Sequence, residues 1–146
     1  KNLVLQTALM EIHFNAGHIL EAQALGKELL GINTNNYPLS MLYARTLMDS
    51  KKYEEAEDVL KNLLPKRPSD PSVWYWLAEV QGLSNNTISL HRSRAEYFSL
   101  RGRYNEGIKH LRYALLLVGN NFQLTSAIES RIEDLHKTMR DIKELS

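Results

Sequence analysis

The sequence predicts an all-α protein built from stacked antiparallel helix pairs, and three observations support this prediction. A short motif that opens a helical segment recurs at residues 19–22, 53–56 and 104–107. The first two copies lie 34 residues apart and the last two 51, which is one and a half times that period. Turn-forming residues separate the segments, and Pro38 and Pro71 stand near helix starts, where a missing N–H costs nothing. These observations favour about eight helices joined by tight turns.

Composition narrows the possible classes of partner. Hydrophobic residues make up 43% and charged residues 24% of the 146 residues, which is typical of a globular domain and argues against disorder. Because 18 lysines and arginines balance 17 aspartates and glutamates, no overall field attracts nucleic acid or an anionic membrane. The longest apolar run, 114–118, is far shorter than the roughly 20 residues that span a bilayer. We therefore expect protein partners, with no nucleic acid and no membrane insertion.

The repeat pattern predicts one domain over residues 1–146, with helix pairs at about 3–36, 37–70 and 88–121 and an extra helix at 71–87. Small residues recur where paired helices must approach closely: Ala44, Ala56, Ala78, Ala95, Gly107 and Ala114. Bulky residues fill the layers between them: Tyr43, Leu47, Tyr53, Leu60, Phe98, Tyr104 and Leu111. In this alternation the chain resembles the tetratricopeptide repeat (TPR) family. The resemblance implies a TPR-like α-α superhelix that holds other proteins.

The first two repeats depart from the family pattern. Met10 stands where a small residue is usual, and Gly26 stands where a large residue is usual. Leu63 replaces a usual alanine in the second repeat. Departures in the first repeat are typical of a terminal or covered unit.

A change of phase is predicted in the second half of the chain. Residues 71–81 carry a first-helix pattern, yet the following segment, 88–100, also carries first-helix residues at Ala95 and Phe98. We interpret this segment as one helix shared by two pairs, which accounts for the extra 17 residues. The prediction is a bend or irregular stacking near residues 82–87.

The last segment, 122–146, has the pattern of a capping helix. Its apolar residues recur at spacings of three and four: Leu124, Ile128, Ile132, Leu135, Met139 and Ile142. Such a stripe, with charged residues opposite, suits a helix that covers the end of a helical repeat. A membrane-surface helix is disfavoured because the polar face mixes both signs.

The sequence shows no motif of an enzyme. It lacks HExxH, a glycine-rich phosphate loop, a G-x-S-x-G elbow and any cysteine. Glu129, Glu133 and His136 share one helical strip, but a solvated face is the favoured interpretation over a metal site. We therefore expect a chain that is not an enzyme, with no cofactor and no metal of its own.

Counting about 100° per residue separates a core side of each first helix from an opposite, concave side. The predicted concave strip mixes apolar and charged residues: Thr7, Glu11, Phe14, Met41, Arg45, Met48, Tyr75, Glu79, Arg92 and Glu96, with Trp76 at its rim. Exposed methionine and aromatic residues suit an adaptable contact with another protein. The alternative is that neighbouring repeats, or the rest of a longer protein, cover some of them. Trp74 is assigned to the core.

Two further charge patterns bear on the partner. One TPR subclass grips the carboxylate terminus of chaperones with Lys and Asn at repeat positions five and nine. Here those positions carry Thr7 and Glu11, Met41 and Arg45, and Tyr75 and Glu79, so that clamp is absent. A basic stretch would suit an acidic partner: His91, Arg92, Arg94, Arg101 and Arg103. Since Glu96 weakens its field, a solvated face is the favoured interpretation.

A second resemblance concerns the C-terminal half. The segments RAEYF at 94–98, GRY at 102–104, LRYAL at 111–115 and NFQLT at 121–125 resemble the C-terminal TPR half of bacterial periplasmic zinc metallopeptidases of the β-barrel assembly-enhancing type. This implies a periplasmic module, separated from a zinc-containing HExxH peptidase domain, on which it docks. Its partners would be the outer-membrane barrel assembly machinery or its substrates. A first residue other than Met also suggests a piece of a longer protein. The alternative is a stand-alone TPR scaffold of a secretion or pilus-assembly system.

Overall fold

The structure, a computed structural model, describes residues 2–146, and these residues form eight α-helices and no strand. The helices are α1 (Leu3–Asn15), α2 (Ile19–Ile32), α3 (Tyr37–Asp49), α4 (Tyr53–Leu63), α5 (Pro71–Leu83), α6 (Thr87–Leu100), α7 (Tyr104–Leu115) and α8 (Phe122–Leu145). The predicted all-α fold of about eight helices is confirmed. Every helix in the described part of the chain is too short or too polar to cross a bilayer.

The helices pack as two compact units, an N-terminal unit that ends at Pro68 and a C-terminal unit over Ser69–Ser146. The N-terminal unit contains α1 to α4, and the C-terminal unit contains α5 to α8. The single domain over 1–146 stays a prediction.

One type of turn recurs along the chain, and the spacing between its copies shows where the repeat changes phase. Gly17, Lys51, Asn85 and Gly102 have positive φ angles. The N–H of the residue after each donates to the carbonyl five residues earlier at 2.8 Å, as in a Schellman motif. The first three of these positions are spaced by 34 residues, but the fourth follows the third after 17. Helix α6 therefore lies between two such turns, which is the arrangement expected of a helix shared by two pairs.

The bend or irregular stacking predicted near residues 82–87 stays a prediction, but the turn at this point is regular. The N–H of Asn86 donates to the carbonyl of Gln81 at 2.8 Å, as its counterparts do in the two preceding turns of this type. Helix α6 packs against α5 and against α7. Its buried residues, Ser93, Ala95 and Ser99, are all small, which permits a close approach on both sides.

The departure at Met10 and Gly26 is an exchange of large and small residues. Met10 is completely buried. A Cβ atom at position 26 would lie 2.6 Å from Met10 Cε and 2.6 Å from Tyr43 Cδ1. The methionine of α1 thus occupies the space that a larger residue on α2 would fill, and the two helices keep their contact.

The predicted close-packing positions are confirmed in both units. Each of these residues is buried: Ala44, Ala56, Ala78, Ala95, Gly107 and Ala114. A Cβ atom on Gly107 would lie 2.9 Å from Ser99 Oγ and 3.1 Å from the Ala95 carbonyl oxygen, so only glycine fits where α7 crosses α6 without a shift.

The capping helix is also confirmed. Ile128 and Leu135 of α8 are buried in one cluster with Ile108 and Leu111 of α7. Leu124, Ile132 and Met139 pack against this cluster, whereas Ile142, near the helix end, is 48% exposed. One stripe of α8 therefore completes the core of the C-terminal unit.

Candidate functional site

In the N-terminal unit, the predicted strip residues are only partly exposed. Glu11 and Arg45 are exposed, while Thr7, Phe14 and Met41 are half-buried. The guanidinium carbon of Arg45 lies 5.2 Å from the Phe14 ring centre, a cation–π contact between α3 and α1.

The assignment of Met48 to this exposed strip is wrong, because its side chain is buried in the N-terminal unit. Helix α3 packs against α1, α2 and α4, so little of its surface remains accessible.

In the C-terminal unit, the predicted residues have different environments. Tyr75 is 44% exposed, Arg92 is exposed and Glu79 is half-buried. Trp76 is half-buried and meets Tyr75 edge-on at 5.3 Å between ring centres. Trp74, assigned to the core by the sequence, is only half-buried, so that assignment is wrong in part.

Glu96 is held by an ion pair. Its two carboxylate oxygens accept hydrogen bonds from Nε and an Nη of Arg131 on α8, both at 2.8 Å. This hydrogen bond raises the pKa of Arg131 above its ordinary value, against the opposing effect of burial. The sequence pattern placed Glu96 on the exposed strip, where its charge would weaken the field of the basic stretch. In the structure Glu96 instead attaches the capping helix α8, and Arg131 compensates its charge.

Helices α5 and α6 enclose a cleft of about 300 Å³. Its lining residues are Tyr75, Ala78 and Glu79 from α5 and Arg94, Tyr97 and Phe98 from α6. The strip predicted from sequence thus supplies Tyr75 and Glu79 but misses the three residues of α6. Because α6 is the second helix of the pair with α5, its residues that face the cleft differ from those counted for a first helix.

Aromatic rings form the walls of this cleft. The ring centres of Tyr75 and Tyr97 are 5.9 Å apart, and those of Tyr97 and Phe98 are 5.3 Å apart. Arg101 lies over the Tyr97 ring at 5.5 Å, and Arg103 over the Phe98 ring at 5.3 Å. These contacts position the rings and place two cations beside the wall.

The cleft also holds two charged groups without partners. Neither Glu79 nor Arg94 forms an ion pair or a hydrogen bond with another described residue, and both are half-buried. Partly desolvated charges interact more strongly with a ligand than fully exposed ones. The arrangement can therefore bind a segment that has both a polar and an apolar part.

A histidine pair lies next to the aromatic wall. Nδ1 of His91 on α6 is 3.0 Å from Nδ1 of His110 on α7, so one ring donates and the other accepts. The Phe98 ring stacks on His110 at 5.4 Å between centres. Burial, reinforced by Arg94, lowers the pKa of His91, and burial followed by His91 and Arg94 lowers the pKa of His110. Both rings therefore favour the neutral form.

The structure gives no further support for a metal centre. Within residues 2–146, no three His, Cys, Asp or Glu side chains are grouped to hold an ion. Glu133, one of the three residues considered from sequence, accepts a hydrogen bond from Arg140 at 3.1 Å.

The chain resembles two solved structures of MamA and matches one family model. Residues 41 to the end of MamA from Desulfovibrio magneticus RS-1 superpose with a TM-score of 0.62 at 15% identity, over 91% of this chain and 75% of that one. An RS-1 ArsTM double mutant of MamA gives 0.63 at 15% identity, over 92% and 75%. These likenesses show the fold alone, and no curated protein matches the sequence. A family model, tetratricopeptide repeat, matches residues 5–80. Since this match covers more than half of the chain, the protein belongs to the tetratricopeptide repeat family.

Proposed function

We propose that the chain is a protein-interaction module that binds a segment of another polypeptide in the α5–α6 cleft. One observation carries the proposal: Glu79 and Arg94, two half-buried charges with no ion pair or hydrogen bond among residues 2–146, stand beside three aromatic side chains in one cleft. Aromatic anchors and an arginine are the side chains that contribute most to protein–protein binding. TPR proteins use their helical surfaces for such contacts.

A peptide selection tests this proposal. Displayed peptides would be selected on the wild-type chain, and their affinities compared by calorimetry for Tyr75→Ala and Leu83→Ala. Both residues are exposed on α5, but only Tyr75 lines the cleft. We expect Tyr75→Ala to weaken binding and Leu83→Ala to leave it unchanged. Equal affinity for both variants would contradict the proposal.

We further propose that the module belongs to a periplasmic zinc metallopeptidase that acts in outer-membrane protein assembly and quality control. The support is the sequence resemblance, whose segment 94–98 contains the cleft residues Arg94, Tyr97 and Phe98. In this proposal the zinc belongs to the peptidase domain of the longer protein. The partners are the barrel assembly machinery, its substrates or that peptidase domain, and the compartment is the periplasm.

A stand-alone scaffold of a secretion or pilus-assembly system is the second candidate. It is favoured by the buried core that each unit builds from its own helices. The gene upstream of Lys1 distinguishes the two. An HExxH domain there would support the metallopeptidase, and a signal peptide alone would support the scaffold.

A further inference from the structure

We infer that the cleft takes an acidic peptide segment, with a carboxylate at Arg94 and an aromatic or large apolar side chain against Tyr75, Tyr97 and Phe98. The inference rests on the proposed function of the cleft as a peptide site. It adds the chemistry of the partner, which neither the fold nor the comparisons specify.

Helix α6 and the turn after it are basic. Residues 87–103 contain four arginines and one acidic residue, Glu96. The bidentate pair with Arg131, at 2.8 Å for both hydrogen bonds, compensates the charge of Glu96. Glu96 therefore does not offset these arginines, and the segment is locally basic, which the balanced count of the whole sequence conceals. Two other carboxylates lie close to it, Glu79 in the cleft and Glu106 beside Arg103.

Three of these arginines lie in or beside the cleft. Arg101 and Arg103 lie over the rings of Tyr97 and Phe98, which form the cleft wall. Arg94 lines the cleft itself and has no ion pair or hydrogen bond among the described residues. A free guanidinium beside aromatic rings suits a carboxylate that it can bind through two parallel hydrogen bonds.

The cleft lining contains a single acidic group, Glu79. Glu79 stands on α5, so the cleft has a carboxylate from one helix and a guanidinium from the other. Glu79 would repel an acidic side chain on its own side and accept an N–H of the bound backbone. The segment is thereby directed to place its carboxylate on the α6 side.

Synthetic peptides test the inference on the full chain. An acidic peptide with one tryptophan would be compared, by fluorescence anisotropy, with its Asn/Gln analogue and its lysine analogue. We expect the acidic peptide to bind at least about tenfold more tightly than the neutral one, and the lysine peptide most weakly. High salt should reduce this difference because the contributing charges are partly exposed.

Substitutions in the cleft test which residues cause the preference for the acidic peptide. Arg94→Gln should weaken the acidic peptide about tenfold, and Arg94→Lys less, because lysine keeps the charge without the bidentate geometry. Glu79→Gln should strengthen binding by removing a like charge. Lys66→Gln, an exposed charge change in the N-terminal unit, is the matched control and should have no effect. Unchanged thermal melting of each variant would show that the fold is retained.

Each alternative outcome has a distinct meaning. If the neutral peptide binds as tightly as the acidic one and Tyr75→Ala weakens both, the cleft binds peptides but the inferred acidic chemistry is wrong. If no peptide responds to Tyr75→Ala, the proposed function itself fails. Displacement of the acidic peptide by polyphosphate of equal charge would indicate unspecific attraction and would also overturn the inference.

Discussion

The first and last helices of the chain, α1 and α8, differ in how far their apolar residues are buried. Helix α8 buries Ile128 and Leu135 completely or nearly so and turns its charged residues outward. Helix α1 buries only Met10, while Val4 and Ile12 remain 77% and 63% exposed. The comparison teaches that an apolar residue on a terminal helix contributes to stability only where a neighbouring helix covers it.

The difference has a cause in the two sequences. Most apolar residues of α8 lie on one narrow stripe, so one orientation buries them, whereas Phe122 and Leu145 at its two ends are 85% and 89% exposed. In α1 they surround the helix, because Leu3, Val4 and Leu5 are consecutive. Such a helix cannot bury all of its apolar residues against one neighbour.

The largest expected effect is the difference in the free energy of unfolding between the variants Leu135→Ala and Ile12→Ala. Leu135 is 2% exposed, so its truncation leaves a cavity and should lower the free energy of unfolding by about 3 kcal/mol. Ile12 is mostly exposed, and its truncation should change that energy by less than about 0.5 kcal/mol. Urea denaturation followed by circular dichroism measures both. Similar losses for the two variants would contradict the comparison.

Much of the fold could be predicted because it depends on short-range periodicity. The stripe of α8 and the small residues such as Ala95 and Gly107 follow from spacing within a helix and from the close approach of paired helices. The shared helix followed from the same spacing, since Ala95 and Phe98 recur half a period early.

The candidate site was less predictable because it depends on contacts between distant residues. Glu96 pairs with Arg131, 35 residues away, and no repeat pattern specifies such a pair. Met48 faces solvent on a helical projection of α3 alone but is buried once three helices pack around α3. Tyr97 was missed because α6 was counted as a first helix when choosing the strip residues, whereas in the cleft it acts as a second helix.

The next effect concerns the Met10–Gly26 contact, the one place where α1 is firmly packed. Gly26→Ala should destabilise the chain by about 2 kcal/mol, because the added Cβ would lie 2.6 Å from Met10 Cε and Tyr43 Cδ1. In a Met10→Ala background one of these two obstructions is absent, so the same substitution should cost about 1 kcal/mol less. A double-mutant cycle in urea measures this coupling. Strict additivity would show that the two residues do not share one space.

A smaller effect concerns the attachment of α8. Arg131→Gln removes the bidentate pair with Glu96 and should cost about 1 kcal/mol, since both side chains are only partly buried. Arg140→Gln removes an exposed pair on the same helix and should have almost no effect. Denaturation in urea compares the two variants. Arg131→Gln should also weaken the acidic peptide, because the charge of Glu96 is then uncompensated.

The smallest effect is a pH dependence that the His91–His110 pair gives to the C-terminal unit. Burial lowers the pKa of both rings from the ordinary value of 6.5, so the folded chain binds fewer protons than the unfolded chain between the lowered folded-state pKa values and pH 6.5. The contribution to stability is then fully present above pH 6.5 and is lost as the pH falls from 6.5 through the lowered folded-state pKa values. Arg94 and Lys109 add to the cost of protonation, whereas Glu106 opposes it.

Urea midpoints at about pH 8 and about pH 5 measure this dependence. Both His110→Gln and His91→Gln should reduce the difference between the two midpoints, because each removes a group whose charging opposes folding. His136→Gln, on α8, is the control and should leave the difference unchanged. If His136→Gln reduced it as much as His110→Gln, acid sensitivity would belong to the capping helix, and the α6–α7 contact would have no special role in it.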